Sequence, residues 1–193
     1  LGWLGEQPQL RAALHRTRTS LDFARDLAVV DGMEGAVSAL WFRTLSTLVD
    51  PQWGFQRRTR RPPRDPFNAL LSYGYAVANG DALMAVQSPG LDPALGFLHS
   101  MYPGRNSLAL DALECVRAMV DRMVVQLVRD TLHPHQFQTD AEKGCVLDKE
   151  VRSTLIRAWH VLRREQARPR LQSWAFALRQ RLGHGNLELL EME

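Results

Sequence analysis

Residues 107–132 read SLALDALECVRAMVDRMVVQLVRDTL, and this stretch decides the fold class. At 100° per residue, Leu113, Val116, Val120, Val124 and Leu127 share one side, and Met119 and Met123 widen it. No Pro or Gly interrupts the run. The pattern predicts the longest helix of the chain over about 107–132. Asp111, Glu114 and Asp121 fall in the opposite sector, about a turn or two apart. Carboxylates stacked this way repel by roughly 0.2–0.5 kcal/mol per close pair. A bound cation or a neighbouring Arg relieves that repulsion. The competing reading is a solvated acidic face balanced by Arg117 and Arg122.

Outward from this helix, apolar residues recur at three and four, and alternation is rare. A leading helix is expected over about 8–28, with Leu10, Leu14, Leu21 and Leu27 on its apolar side. Another is expected over about 31–49, with Asp31 as cap and Glu34 in the first turn. Residues 50–65 read as a loop, because Asp50-Pro51, Gly54, Pro62-Pro63 and Asp65-Pro66 resist regular structure. A helix resumes at Pro66 and carries Phe67, Leu70, Leu71 and Tyr75. Gly80, Pro89-Gly90 and Asp92-Pro93 are expected to break the chain beyond it into short pieces. Two further helices are expected over about 148–166 and 169–182, the second ended by Gly183 and Gly185. Residues 133–147 leave room for a short extended piece at 144–147. The fold class is all-α, a multi-helix domain without internal repeats.

Composition sets the class and leaves the function open. The chain has 193 residues, 45% hydrophobic and 23% charged, the profile of one or at most two globular domains. No apolar run approaches the ~20 residues of a membrane-spanning helix. No charged start followed by an apolar stretch marks a signal peptide. Leu1 is not an initiator Met, so the chain is expected to be a piece of a longer polypeptide. Cys115 and Cys145 are too few for a disulfide framework or a zinc site, which points to free thiols in a reducing, cytoplasmic compartment. Net charge is only +3, but 22 of the 24 basic residues are Arg. Residues 51–64 carry five Arg and no acid, and residues 151–182 carry eight Arg and one acid. Between them, residues 65–150 carry eleven acids against six basic residues. An enzyme holding a cation at a polyanion needs such an arrangement, since Arg pairs bidentately with phosphate, while a solvated, salt-bridged helical protein could show it by chance.

Single residues have dull explanations. Glu34, in MEGAVSALWF (33–42), would favour a helix dipole. His99, closing GLDPALGFLH (90–99), would be a packed histidine. His133 and His135 flank Pro134 without an acid or thiol at ligand spacing, and His15, His160 and His184 have no visible partner. Asp22 and Asp26 read as a surface pair with Arg18 and Arg25. No Gly-rich phosphate loop, GxSxG elbow or paired CxxC is present.

Four stretches taken in order carry more. MEGAVSALWF (33–42), RPPRDPFNALLSYGY (61–75), GLDPALGFLH (90–99) and GRNSLALDALE (104–114), continuing as CVRAMVDRMV (115–124), resemble the CRISPR-associated spacer-acquisition integrases, the DNA-joining subunits of the adaptation complex. The resemblance covers roughly residues 28–130 well and the last third loosely. It implies a helical catalytic domain over 28–193, with 1–27 as a junction and leading helix. The family's N-terminal β-rich domain, which builds its dimer, has no counterpart in these residues. One expected source is a larger polypeptide, such as the fusions to a reverse transcriptase that some members form.

The resemblance implies one divalent ion, Mg²⁺ or Mn²⁺, held by Glu34, His99 and Glu114, with Asp111 as an additional acid near it. Oxygen and imidazole donors suit these ions. It also implies that Arg117 lies near DNA, where Ala118 replaces the family's usual Pro. Arg57, Arg58, Arg60, Arg61 and Arg64 in the loop, with Arg105, are expected to hold DNA phosphates. Five like charges in that loop also predict that it moves freely. The implied reaction joins the 3′-hydroxyl of a double-stranded donor to a phosphodiester of CRISPR repeat DNA. The implied partner is the small adaptation subunit, bridging integrase homodimers. A metal-dependent nuclease without joining activity and a non-catalytic helical assembly module are the rival readings.

Overall fold

A computed structural model describes residues 7–21, 23, 26–140, 142 and 144–190, the side chains of Leu27 and of 184–190 excepted. The pairing expected of Asp22 with Arg25 lies outside these residues, as does any partner of the His184 side chain. The described chain is all-α, with one small hairpin. Its helices are α1 (Pro8–Leu21), α2 (Leu27–Leu48), α3 (Pro66–Gln87), α4 (Ser107–Asp130), α5 (Lys149–Leu162) and α6 (Arg168–Leu190). Strands β1 (Gln138–Asp140) and β2 (Gly144–Val146) pair antiparallel, with Thr139 opposite Cys145.

Helix α3 is the centre of the domain. Phe67, Leu70, Leu71, Ala78, Ala82 and Val86 on it are wholly or almost wholly buried. Small residues let α4 lie close: Gly74, Ala78, Ala82 and Ala85 are all buried. The apolar side read from the sequence of α4 packs there, with Val116, Val120 and Val124 fully buried. Leu155 and Trp159 of α5, and Leu171 and Ala175 of α6, close the other side. Burial of this kind stabilises by about 25 cal/mol per Å² of apolar surface and outweighs the weak propensity of the β-branched residues in α4.

Several boundaries differ from expectation. Helix α2 begins at Leu27, because Asp26 caps it by accepting the Ala28 N–H at 2.9 Å. Asp31 therefore lies inside the helix, and Glu34 sits two turns in, beyond the reach of a helix-dipole explanation. Gly80 does not break α3, since buried neighbours on both sides carry the helix through. Gly183 does not end α6, which runs on to Leu190. Between α5 and α6 the helical path continues through a π segment, Arg163–Ala167. There Arg163 pairs with Asp81 of α3 at 2.6 Å, and Trp159 donates its indole N–H to the same carboxylate at 2.7 Å.

The loop 50–65, expected to move freely, is pinned. Trp53 and Phe55 are buried, and Phe55 packs on Phe67 with ring centroids 4.5 Å apart. Asn68, fully buried, accepts the Thr59 N–H and donates to the Arg57 carbonyl and to Asp65. The hairpin clamps the outside: Cys145 N–H donates to the Pro63 carbonyl at 2.8 Å. Gly144 makes this approach possible. Its φ is +76°, and a Cβ there would collide with the Pro63 carbonyl and the Pro62 ring. Cys115 is half-buried and Cys145 buried, both as free thiols. Among the described residues, no helix is long and apolar enough to cross a membrane.

Candidate active site

The first turns of α4 organise the loop before it. The Asp111 side chain is fully buried and acts as an acceptor for four donors. Oδ2 accepts the N–H groups of Phe97 and Leu98 at 2.7 and 3.2 Å, and Oδ1 accepts the N–H of His99 at 2.9 Å. His99 Nδ1 lies 2.7 Å from Oδ1. An ionised carboxylate there fixes the Nδ1–H tautomer, leaving the Nε2 lone pair of the imidazole available. Gly96 permits the tight loop: a Cβ on it would stand 2.6 Å from Ser107 Cβ and 2.7 Å from the His99 carbonyl. Asp111 is thus spent on orienting His99, and its lone pairs are filled.

One turn further along α4, Glu114 meets α2. Arg117 Nη1 lies 2.9 and 3.1 Å from the two oxygens of Glu114 and 3.8 Å from Glu34 Oε1. Glu34 is 60% exposed and Glu114 31%, while Arg117 is only 18% exposed. These three residues line a groove of about 680 Å³ between α1, α2 and α4. Its walls are otherwise mostly apolar, including Leu14, Val30, Met33 and Phe42. Glu34 and Glu114 therefore line one groove; His99 and Asp111 do not, and Asp111 lies one turn before Glu114 on α4. Among the described residues, no three of His, Cys, Asp and Glu are clustered as metal ligands.

Beneath Arg117 lies a network that sequence reading missed. Arg117 stacks over the Tyr75 ring at 5.2 Å. The Tyr75 hydroxyl donates to Asp121 Oδ1, and Trp41 Nε1 donates to Oδ2 at 2.7 Å. Asp111 and Asp121 are each only 2% exposed, which excludes a solvated acidic face for this side of α4. Burial pushes the Asp121 carboxyl up to about 6, against the lowering effect of its two hydrogen bonds and of Arg117 and Arg58. Burial also raises the Tyr75 hydroxyl, and Asp121 adds to it. Burial alone would lower the Arg117 guanidinium, but Glu114 and Tyr75 outweigh it and raise it. Tyr75 and Asp121 lie inside the family-like stretches; only their contact across 46 residues reveals a joint role.

The arginines divide. Arg58 is turned inward: it donates to the Thr59 carbonyl at 2.6 Å, to Asn68 Oδ1 at 2.8 Å and to Ser72 Oγ at 3.0 Å, and stacks over Tyr75 at 5.5 Å. Arg57, Arg60, Arg61 and Arg64 are exposed, and Arg105 is half-buried in the loop before α4. Arg57 and Arg60 line a depression of about 450 Å³ together with exposed Arg43, which the sequence reading passed over. Ser38 and Phe42 line both this depression and the carboxylate groove, so the two adjoin. The signal for Arg43 was available: it is the sole charged residue between Glu34 and Asp50, and a lone charge on an apolar helix marks the side turned to solvent.

Two carboxylates of the groove are of the donor type that a divalent ion takes. Glu34 and Glu114 both face the Arg117 guanidinium, and Asp111, which holds the His99 imidazole, lies one turn before Glu114 on α4. Glu34, Glu114 and His99 Nε2 are the groups that could hold such an ion.

Fold and site together define an all-helical domain with an acidic and imidazole centre flanked by exposed arginines. The chain belongs to the Cas1 family: the model of CRISPR associated protein Cas1 matches residues 5–161. It is 40% identical over 150 residues to a CRISPR-associated endonuclease Cas1 of Rhodospirillum rubrum, covering 75% of this chain and 44% of that protein. The chain thus spans less than half the length of this relative. A casposase bound to integration product superposes with a TM-score of 0.70 at 28% identity, over 76% of this chain and 42% of that one. A Cas6-RT-Cas1–Cas2 complex superposes with a TM-score of 0.83 over 94% of this chain and 21% of that one; at 22% identity the likeness is one of fold.

Proposed function

We propose that this chain is the catalytic domain of a CRISPR-adaptation DNA integrase and endonuclease. It joins the 3′-hydroxyl of a short double-stranded donor to a phosphodiester of repeat DNA. The observation that carries the reading is the convergence of Glu34 and Glu114 on Arg117, beside an imidazole oriented by Asp111. The family, the endonuclease relative and the likeness to a casposase bound to integration product support it.

In this reading Glu34, Glu114 and His99 hold Mg²⁺ or Mn²⁺. When bound, such an ion supplies polarisation of the scissile phosphate and stabilises the charge developing on it. Asp111 keeps Nε2 of His99 facing outward, so the imidazole acts as a ligand and not as a free base. Arg43, Arg57 and Arg60 hold backbone phosphates in the adjoining depression, with Arg61, Arg64, Arg105 and Arg117 as further contacts. The donor 3′-oxygen forms a bond to phosphorus as the bond to the departing strand's oxygen breaks; the attacking hydroxyl loses its proton to solvent and the departing oxygen takes one from it. The intact protein works as a homodimer with the small subunit Cas2, and fusion to a reverse transcriptase is one context for it, as in the Cas6-RT-Cas1–Cas2 complex.

A strand-transfer assay tests this. The protein is mixed with Cas2, a labelled donor carrying a free 3′-hydroxyl, and repeat-bearing plasmid in Mn²⁺. Covalent transfer of label to plasmid, lost in Glu34→Gln and Glu114→Gln, is expected. Plasmid nicking without transfer would favour a nuclease that does not join; neither product would leave a non-catalytic assembly module.

A further inference from the structure

Resting on that metal reading, we infer that Arg117 is the cation the two glutamates hold before the divalent ion arrives. The Tyr75–Asp121 pair is its tether once the ion has taken the carboxylates. The geometry carries both halves. Arg117 donates to both oxygens of Glu114 and stands 3.8 Å from Glu34, so an ion entering between these acids must displace it. The displaced guanidinium has a second holding point, because it lies 5.2 Å over the Tyr75 ring. That ring is anchored in turn, because its hydroxyl donates to Asp121. Asp121 is fixed in turn by burial and by the Trp41 indole.

The tether spans the elements that carry the site. Trp41 lies two turns beyond Glu34 on α2, Asp121 two turns beyond Glu114 on α4, and Tyr75 comes from α3. Arg117 thus has two settings, both at the groove. In one, its N–H groups neutralise the glutamates, which otherwise repel each other across the groove. In the other, they are released from Glu114 and face outward, held on Tyr75, where a DNA phosphate takes them. The guanidinium therefore competes with the ion in the absence of DNA. DNA, by drawing the guanidinium off the glutamates, tightens ion binding. Arg117 would contact substrate; Tyr75 and Asp121 are positioning residues.

The test is a Mn²⁺ titration of the protein, read by loss of the free-ion EPR signal, with and without a duplex DNA. Arg117→Gln is expected to bind Mn²⁺ roughly three- to tenfold more tightly than wild type without DNA, the worth of a partly buried ion pair. Arg122→Gln, which removes the same charge from the same helix but faces Gln166, is the control and should gain less than about twofold. Tyr75→Phe keeps the charge and loosens the tether. Its Mn²⁺ affinity without DNA should stay within about twofold of wild type, while the tightening caused by DNA falls by at least about threefold. An Arg117→Gln gain no larger than that of Arg122→Gln overturns the competition. Undiminished DNA coupling in Tyr75→Phe overturns the tether. Glu34→Gln and Glu114→Gln separate this from the underlying reading: if they bind Mn²⁺ as wild type does, the metal site itself is misplaced and both fall.

Discussion

Asp111→Asn is the sharpest perturbation of the site, because it conserves size and changes one oxygen to an amide. In the native arrangement two donors meet each oxygen: Phe97 and Leu98 N–H at Oδ2, His99 N–H and Nδ1 at Oδ1. An amide offers one acceptor and one donor. With its N–H groups at the Oδ2 position, Phe97 and Leu98 N–H lose their acceptor; with them at Oδ1, the His99 N–H loses its acceptor and Nδ1 must give up its proton to accept. A hydrogen bond to a charged group contributes about 1.5–3 kcal/mol. The Leu98 contact is long at 3.2 Å, and Phe97 and Leu98 are 48% and 38% exposed, so water takes up part of the loss. A destabilisation of about 2–4 kcal/mol is expected, seen as a urea midpoint lowered by about 1–2 M. In parallel, the ring ¹⁵N signals of His99 should shift away from the Nδ1–H tautomer, since the acceptor that fixed it is altered. A variant within ~0.5 kcal/mol of wild type, with unchanged His99 signals, would refute the role assigned to Asp111.

Asp121 gives a pH signature. Its folded carboxyl is raised to about 6 against an unfolded value near 3.9, so the native state binds its proton more tightly. Its contribution to stability is fully present below about pH 4 and is lost as pH rises through 6, an order of ~3 kcal/mol. Asp121→Asn should remove that slope from chemical-denaturation curves taken between pH 4 and 6; an identical slope in both proteins would contradict it. Replacing Arg43, Arg57 and Arg60 with Ala should weaken binding to unrelated duplexes alike and flatten the salt slope by up to about 2.7, at 0.9 per phosphate contact. Arg58→Ala should instead lower the melting temperature, because its inward guanidinium bridges Thr59, Asn68 and Ser72; a fall in DNA affinity without any change in melting would reverse that assignment. Limited trypsin digestion should spare Arg58 while the domain is folded, and cleavage there before any other site would show that the loop is not pinned.

Periodicity alone determined that the chain is helical, and in α4 it named the buried side: Val116, Val120 and Val124 lie where a 100° repeat puts them. This was legible because burial of one helix face is a local property, repeated every turn. The order of short stretches around Glu34, His99 and Glu114 also pointed to the family, to which the chain belongs. Where helices begin and end was less legible. Asp26 and Asp31 are equal as caps by residue type, and the structure uses the first; Gly80 and Gly183 are helix breakers by propensity, at a cost of about 1 kcal/mol each, yet both helices run through them. The division of labour among like residues was not legible at all. Asp111, Glu114 and Asp121 share a sector of one helix, yet one orients an imidazole, one meets Glu34 through Arg117, and one is buried under Tyr75 and Trp41. Arg57 and Arg58 are neighbours, and only one turns inward. Most of these roles depend on partners 10 to 80 residues away in the chain, which no local pattern encodes. Only the folded arrangement brings those partners within hydrogen-bonding distance, and so decides which charge is buried, which is paired and which faces the groove.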